Sequence, residues 1–265
     1  MMRTLVMGIL NVTPDSFADG GRHFTIDAAI GRAKAMIEEG VDIIDIGGES
    51  TKPGAERVSE EEELARVMPV LEEVVKLGVP VSIDTMRSGV AAKAIKVGVK
   101  YVNDVSGGLA DEKMYELIAN NRDIQYVIMH WRSHSKIMEE HALYEDIIKE
   151  VREELEERIN SAIEAGVDPE QLIIDPGIGF AKTSEHNWEI LKNLDRLALL
   201  GYPILVGASR KRFLGELIGG EPDQRESASI ALTAVLAKQG IWGVRTHSVK
   251  PHCDAIAIVE ALAKR

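Results

Sequence analysis

Met7–Gly21 reads MGILNVTPDSFADGG, an apolar, strand-like run that breaks abruptly into Asn, Thr, Pro, Asp and paired glycines. An ordinary turn needs one or two such residues, so a cluster of this length predicts an irregular loop held beside something polar. An amphipathic stretch over 27–39 comes next, and the pattern then recurs. Short β-branched or aliphatic runs stand at 5–10, 43–46, 79–83, 101–102, 125–129, 172–174, 204–206 and 244–247. Helical patterning separates them, as at 60–76, 144–165 and 227–238, and a polar or glycine-rich switch ends nearly every run. Alternating strand and helix implies a parallel sheet. Eight units without a break between halves predict an α/β fold, a closed (β/α)₈ TIM barrel, ahead of the doubly wound alternative. No Pro- or Ser-rich linker divides the chain, so residues 1–265 read as one domain, with irregular loops after the first and second strands. RKRFLGELIGG, after the seventh strand, predicts a short extra helix above the barrel.

With 45% apolar residues the chain can bury a substantial core, and its formal charge of -12 argues against nucleic acid as the main partner, since a duplex binder needs a concentrated basic surface. Cys253 is the one cysteine, which excludes an internal disulfide framework and a multi-cysteine zinc site. No signal peptide and no membrane-spanning run is visible, so the expected location is cytoplasmic.

In a barrel the carboxyl ends of all strands share one face, where barrel enzymes place their chemistry. The polar residues at or just beyond the ends of the runs are Asn11, Asp45 with Glu49 and Thr51, Asp84, Asn103 with Asp104, His130, Asp175, Ser209 with Lys211, and Arg245 with His247. Each alone has a plain structural explanation, since an Asp after a strand caps a helix and a buried His finds a partner. Taken together they predict one polar mouth. GV before the second, third, fourth and sixth strands predicts structural turns at the opposite end. GASRKRFLG and RTH bring Arg210, Lys211, Arg212, Arg245 and His247 to adjacent strands, where barrels commonly bind phosphate. Asp84, Asn103 and Asp175 offer acceptors and an amide opposite these cations. That set suits a flat heterocycle with several ring NH and amino groups.

The segments GILNVTPDSFADGG, DIIDIGGESTKPGA, VSIDTMRSGVAAKAI, VNDVSGG, DPGIGFAKT, GASRKRFLGE and RTHSV resemble, in order and over nearly the whole chain, the signature segments of the bacterial dihydropteroate synthase family. The resemblance implies a TIM-barrel transferase of folate biosynthesis. Such an enzyme joins 6-hydroxymethyl-7,8-dihydropterin diphosphate to 4-aminobenzoate, giving 7,8-dihydropteroate and diphosphate. A homodimer, assistance from Mg2+ and use as a sulfonamide target are implied with it, and small molecules are the expected partners rather than nucleic acid or membrane. Carried over by position, Asp84, Asn103, Met129, Asp175, Phe180 and Lys211 hold the pterin. Asn11 is the metal ligand, and Asn11, Thr51, Arg245 and His247 meet the diphosphate. Lys52, Ser209 and Arg212 receive the aminobenzoate, and Asn11, Lys211, Arg245 and His247 form the catalytic set. The opening loop, residues 15–20 above all, becomes a lid that closes with ESTKPGA.

Three departures from the family pattern stand out. Lys52 replaces the usual Arg of STRPG, Ser248 the usual Asp of RVHDV, and MHWRSHS the commoner MHMRG type. Lys in place of Arg exchanges a planar two-point contact for a point charge. Other readings of the residues are a corrinoid-linked pterin methyltransferase barrel, a non-catalytic pterin-binding homologue, and a Schiff-base aldolase on Lys211.

Overall fold

The computed structural model describes residues 3–13, 26–50, 57–134 and 138–263, with the side chains of residues 138 and 139 excepted. Along the chain come β1 (Leu5–Asn11), α1 (Ile26–Glu38), β2 (Ile43–Gly47), α2 (Glu60–Val74), β3 (Val81–Asp84), α3 (Ser88–Val97), β4 (Tyr101–Asp104) and α4 (Lys113–Ala119). Next are β5 (Gln125–Met129), α5 (Ile147–Glu164), β6 (Leu172–Asp175), α6 (Ser184–Lys192), α7 (Leu194–Ala198) and β7 (Leu205–Val206). The chain closes with α8 (Arg212–Ile218), α9 (Glu226–Lys238), β8 (Gly243–Thr246) and α10 (Lys250–Ala263). The strands pair in the order β6-β5-β4-β3-β2-β1-β8-β7, and a parallel bridge between Ile174 and Ile204 joins the two outer strands into a barrel. The extra helix expected from RKRFLGELIGG is α8.

Alternation along the strands divides the apolar residues in two. Met7, Ile43, Val127, Ile173 and Leu205 point inward and form a plug, with Leu5, Tyr101 and Trp242 packed on it. Their chain neighbours Val6, Ile44, Ile128, Ile174 and Val206 face outward into the larger core beneath the helices. This is the layering a parallel barrel imposes, because side chains alternate between its two faces.

The strands run further than their apolar runs do. β1, β2, β3, β4 and β6 end on Asn11, Gly47, Asp84, Asp104 and Asp175, so the ladder continues through residues expected just beyond it. Asn11, Asp84 and Asp175 take inward positions above the plug, while Asp104 faces outward and is satisfied by the Tyr126 hydroxyl at 2.8 Å and the Ser106 and Gly108 N–H groups. At its other end β3 starts only at Val81, since Pro80 has no N–H for the ladder. β8 stops at Thr246, which leaves His247 on the turn beyond it.

Helix endings at the closed face depend on glycine. Gly40 has φ +92°, its N–H donates to the Ile37 carbonyl at 3.0 Å, and the Val41 N–H donates to the Met36 carbonyl at 3.0 Å. That double bond is a Schellman ending, which requires the left-handed residue that GV supplies. Gly98–Val99 and Gly166–Val167 repeat it.

The plug predicts where stability is concentrated. Ile173→Ala should cost about 2–5 kcal/mol, the range for truncating a packed core side chain. Leu143→Ala, at a residue 79% exposed, should change stability by less than about 0.5 kcal/mol. Urea unfolding of the two variants measures the contrast.

Candidate active site

Strand register sets the mouth. Asn11 pairs with Gly47, Gly47 with Asp84, and Asp84 with Asn103, so four strands end in one layer. Met129 pairs with Asp175 on the far side. At Gly47 an added Cβ would stand 3.4 Å from Asp84 Oδ2 and 3.6 Å from Asn11 Oδ1. The missing side chain therefore lets those two groups approach one space.

Arg245, from β8, reaches across this layer. Its Nε donates to Asp45 Oδ2 at 2.6 Å and its Nη2 to Asp84 Oδ2 at 2.6 Å. Asp45 Oδ2 also accepts from Asn103 Nδ2 at 3.1 Å. Two carboxylates on one buried guanidinium leave an excess negative charge. Burial pushes the Asp84 carboxyl up to about 7; Arg245 opposes the rise and Asp45 adds to it. Burial also works against the guanidinium's charge, but Asp45 and Asp84 outweigh it and hold Arg245 above its ordinary value.

Asp175 faces this group from β6. Burial raises its carboxyl, against Lys211, the Gly177 N–H, Arg245 and Lys182. Its Oδ1 accepts from the Gly177 N–H at 2.7 Å. Lys211 Nζ donates to the Ile178 carbonyl and lies 4.6 Å from the centre of the Phe180 ring. Burial brings the Lys211 amine down to about 8, with Asp175 pulling the other way. Met86, Val105 and Met129, with Trp131 and Phe180 packed against them, form a separate apolar cluster. A flat ring fits between such a wall and these polar edges. Beside Arg245, Ser209 Oγ stands 3.1 Å from His247 Nδ1 and accepts from the His247 N–H at 3.3 Å.

Some expectations need correction. Arg210 does not join a basic cluster: at φ +61° it turns to Asp223 (2.5 Å) and Glu226 (2.9 Å) and braces the segment before α9. Arg212, 64% exposed, pairs with Glu216 one turn along its own helix at 3.3 Å. The expected patch of five cations is thus reduced, on the mouth's side, to Lys211, Arg245 and His247. Thr51, Lys52 and the lid residues 15–20 lie outside the described residues. His130 is fully buried, with Nδ1 2.8 Å from Lys182 Nζ and Nε2 3.0 Å from Glu154 Oε2. Ser248 donates to Glu226, which also meets His252 Nε2 at 3.1 Å, so Glu226 supplies a carboxylate to this turn.

Sequence patterning gives no sign of Lys182 or Arg87. Arg87 bridges Glu49 (2.8 Å) and buried Glu63, and donates to the Val58 carbonyl at 2.5 Å. Both sit beyond the strand ends, where the period-2 signal stops. A cavity of about 430 Å³ lies against Trp131, Arg132, Leu143 and Glu154 and shares only Trp131 with the ring wall. The polar mouth, where carboxylates, an amide and cations converge, is the candidate functional centre.

Residues 7–247 match the family model described as pterin binding enzyme. A dihydropteroate synthase of Mycobacterium leprae is 48% identical over 97% of this chain and 92% of its own length. The chain belongs to the dihydropteroate synthase family. A Clostridium difficile dihydropteroate synthase solved in the presence of pteroic acid superposes with TM-score 0.92 at 41% identity, over 99% of this chain and 98% of that one. A Xanthomonas albilineans dihydropteroate synthase with 4-aminobenzoic acid gives TM-score 0.93 at 42% identity, over 99% and 94% of the two chains. As a member of that family the chain is a transferase of folate synthesis, and the corrinoid-linked, aldolase and non-catalytic readings fall away.

The His130 pair has a consequence for acid stability. Burial, with Lys182, pulls the imidazole down to about 3, Glu154 opposing. Burial acts against the Glu154 charge, but His130 and Arg132 bring that carboxyl down to about 2. Both folded values lie below the unfolded ones, so the unfolded chain takes up the extra protons and stability falls with acid. For His130 the loss starts near about pH 6.5 and continues toward 3; for Glu154 it starts near about 4.5. Thermal melts should therefore show a falling midpoint from about pH 6.5 to 4.5. His130→Gln should flatten that segment; an equally steep fall in the variant would contradict the assignment.

Proposed function

We propose that the mouth divides the condensation between a ring-holding half and a leaving-group half. Asp175 supports the first: with Oδ1 fixed by the Gly177 N–H, its carboxylate accepts from the pterin's amino group and neighbouring ring NH, an amidine-like edge. Lys211, beside it, serves the carbonyl edge. Asn103 and Asp84 take the remaining ring donors, and Met129 and Phe180 close on the ring faces.

In the second half, Arg245 has Nε and Nη2 committed to Asp45 and Asp84, which fixes the guanidinium and leaves Nη1 for the diphosphate. His247, oriented by Ser209, stands beside it. The C–O bond to diphosphate breaks and its electron pair leaves with the phosphate. A cationic pterin methylene results, the aminobenzoate nitrogen lone pair forms the new C–N bond, and the arylammonium gives up a proton. The Asp175 carboxylate favours positive charge on the ring, while the remaining donors of Arg245 at the leaving group favour its departure. No covalent enzyme intermediate is required. In this reading Thr51 meets the diphosphate, Lys52 and Ser209 receive the aminobenzoate, and the loop around residues 15–20 orders that side.

Among the described residues no cluster of three His, Cys, Asp or Glu side chains is built to hold a metal. Asn11 Oδ1, beside the space at Gly47, fits a Mg2+ ion that arrives with the diphosphate, since magnesium takes few protein oxygens and keeps substrate phosphates and waters. Bound there, the ion would supply charge neutralisation on the leaving group. A homodimer and a cytoplasmic location belong to the same reading; among the described residues no helix is long and apolar enough to cross a membrane.

Diphosphate release tests the assignment. It should require both 4-aminobenzoate and magnesium for sustained turnover, and Asp175→Asn should weaken binding of a pterin by about ten- to a hundredfold, the worth of charge-assisted hydrogen bonds. Retained pterin affinity in that variant would overturn the ring assignment.

A further inference from the structure

Lys182 is a buried amine with no part in either half of the mouth. Only 6% of it is exposed, and its Nζ stands 2.8 Å from His130 Nδ1 and 2.9 Å from the Phe180 carbonyl. His130 in turn places Nε2 3.0 Å from Glu154 Oε2, and Glu154 is held by Arg132 at 2.5 Å. This line of contacts runs from α5 to the loop after β6. That loop carries the Gly177 N–H on Asp175, the Ile178 carbonyl under Lys211 and the Phe180 ring. It turns tightly here: Gly177 has φ +67°, and a Cβ there would run into the His130 carbonyl and stand 3.4 Å from Lys182 Nζ.

A lysine buried among apolar strands is costly unless its donors are used. Here the donors go to one loop carbonyl and to a histidine whose other nitrogen lies 3.0 Å from a carboxylate oxygen. A neutral imidazole protonated on Nε2 leaves Nδ1 to accept from Lys182, while Nε2 lies close to Glu154 Oε2 without an aligned hydrogen bond.

We propose that Lys182, held by His130 and the Phe180 carbonyl, is a positioning residue that fixes the loop 176–181 and with it the Gly177 N–H on the ring-binding Asp175. The inference rests on Asp175 holding the pterin's amino edge. The charged groups facing Asp175 are Lys211 from the turn before α8, Arg245 from β8 and Lys182 from its own loop. Those facing Lys182 are Asp175, Lys211, Glu154 and Arg132. Burial holds the Lys182 amine well below its ordinary value, so its part is that of a donor: without it the loop loosens, and the Gly177 N–H that opposes protonation of Asp175 is lost. The carboxylate then gains its proton at a higher pH, and ring binding fails earlier on the acid side.

Titration of 6-hydroxymethylpterin into the full chain between pH 5 and 8, by calorimetry, tests this with Lys182→Met, His130→Gln and Asp175→Asn. Lys182→Met should bind the pterin about tenfold or more weakly at pH 7, with the acid limb of binding moved up by about one pH unit. His130→Gln keeps the Lys182 bond to the Phe180 carbonyl, so it should weaken binding several-fold with the limb moved by less than in Lys182→Met, and KM for 4-aminobenzoate should change less than about twofold. Wild-type affinity in folded Lys182→Met, or weaker binding with an unmoved limb, would overturn the proposal. If Lys182→Met does not fold, wild-type pterin affinity in His130→Gln overturns it instead. Full pterin binding by Asp175→Asn would sink the ring site itself. Loss in Asp175→Asn without loss in Lys182→Met sinks only the role given to Lys182.

Discussion

The Arg245 guanidinium, clasped by Asp45 and Asp84 at 2.6 Å each, is the contact on which the mouth depends. Three strands must end in register for it to form, and 200 residues of chain separate Arg245 from Asp45. A buried ion pair of this kind is poor evidence for stability, since desolvation offsets most of the attraction. What it provides is position. A flexible arginine becomes a fixed plate, one face of which is committed to protein carboxylates while the remaining donors address a ligand.

The same economy runs through the rest of the site. Gly47 contributes by having no side chain, so Asn11 and Asp84 approach one space. Gly177 permits a turn that brings a backbone donor onto Asp175. Lys211 spends one donor on the Ile178 carbonyl and lies over Phe180. Each functional group is held by a partner that is itself part of a strand end or a tight turn, which is how a barrel keeps a site rigid on otherwise variable loops.

Much of this is legible in the chain and some is not. The eight strands are visible because their apolar runs are short and each ends in a polar switch, and the convergence of Asn11, Asp84, Asn103, Asp175 and Arg245 is a consequence of parallel strands alone. Patterning ends the strands one or two residues early, because a polar residue such as Asp84 or Asp175 breaks the apolar run while still pairing in the ladder. Arg210 departs from expectation for a different reason. Its charge and position fit an anion site, but a left-handed backbone and the acidic Asp223 and Glu226 claim it, and neither is visible in local patterning. Lys182 leaves no signal for the same reason: its partners His130 and Glu154 come from distant elements, and one lysine after DPGIGF looks like a solvated loop residue.

The most direct measurement is a crystal structure of the protein with a pterin, diphosphate and magnesium. The account predicts the pterin's amino edge on Asp175, its ring between Met129 and Phe180, and the diphosphate within hydrogen-bond reach of Arg245 and His247. A pterin seated instead in the cavity beside Trp131 and Arg132, with Asp175 and Arg245 untouched, would contradict it.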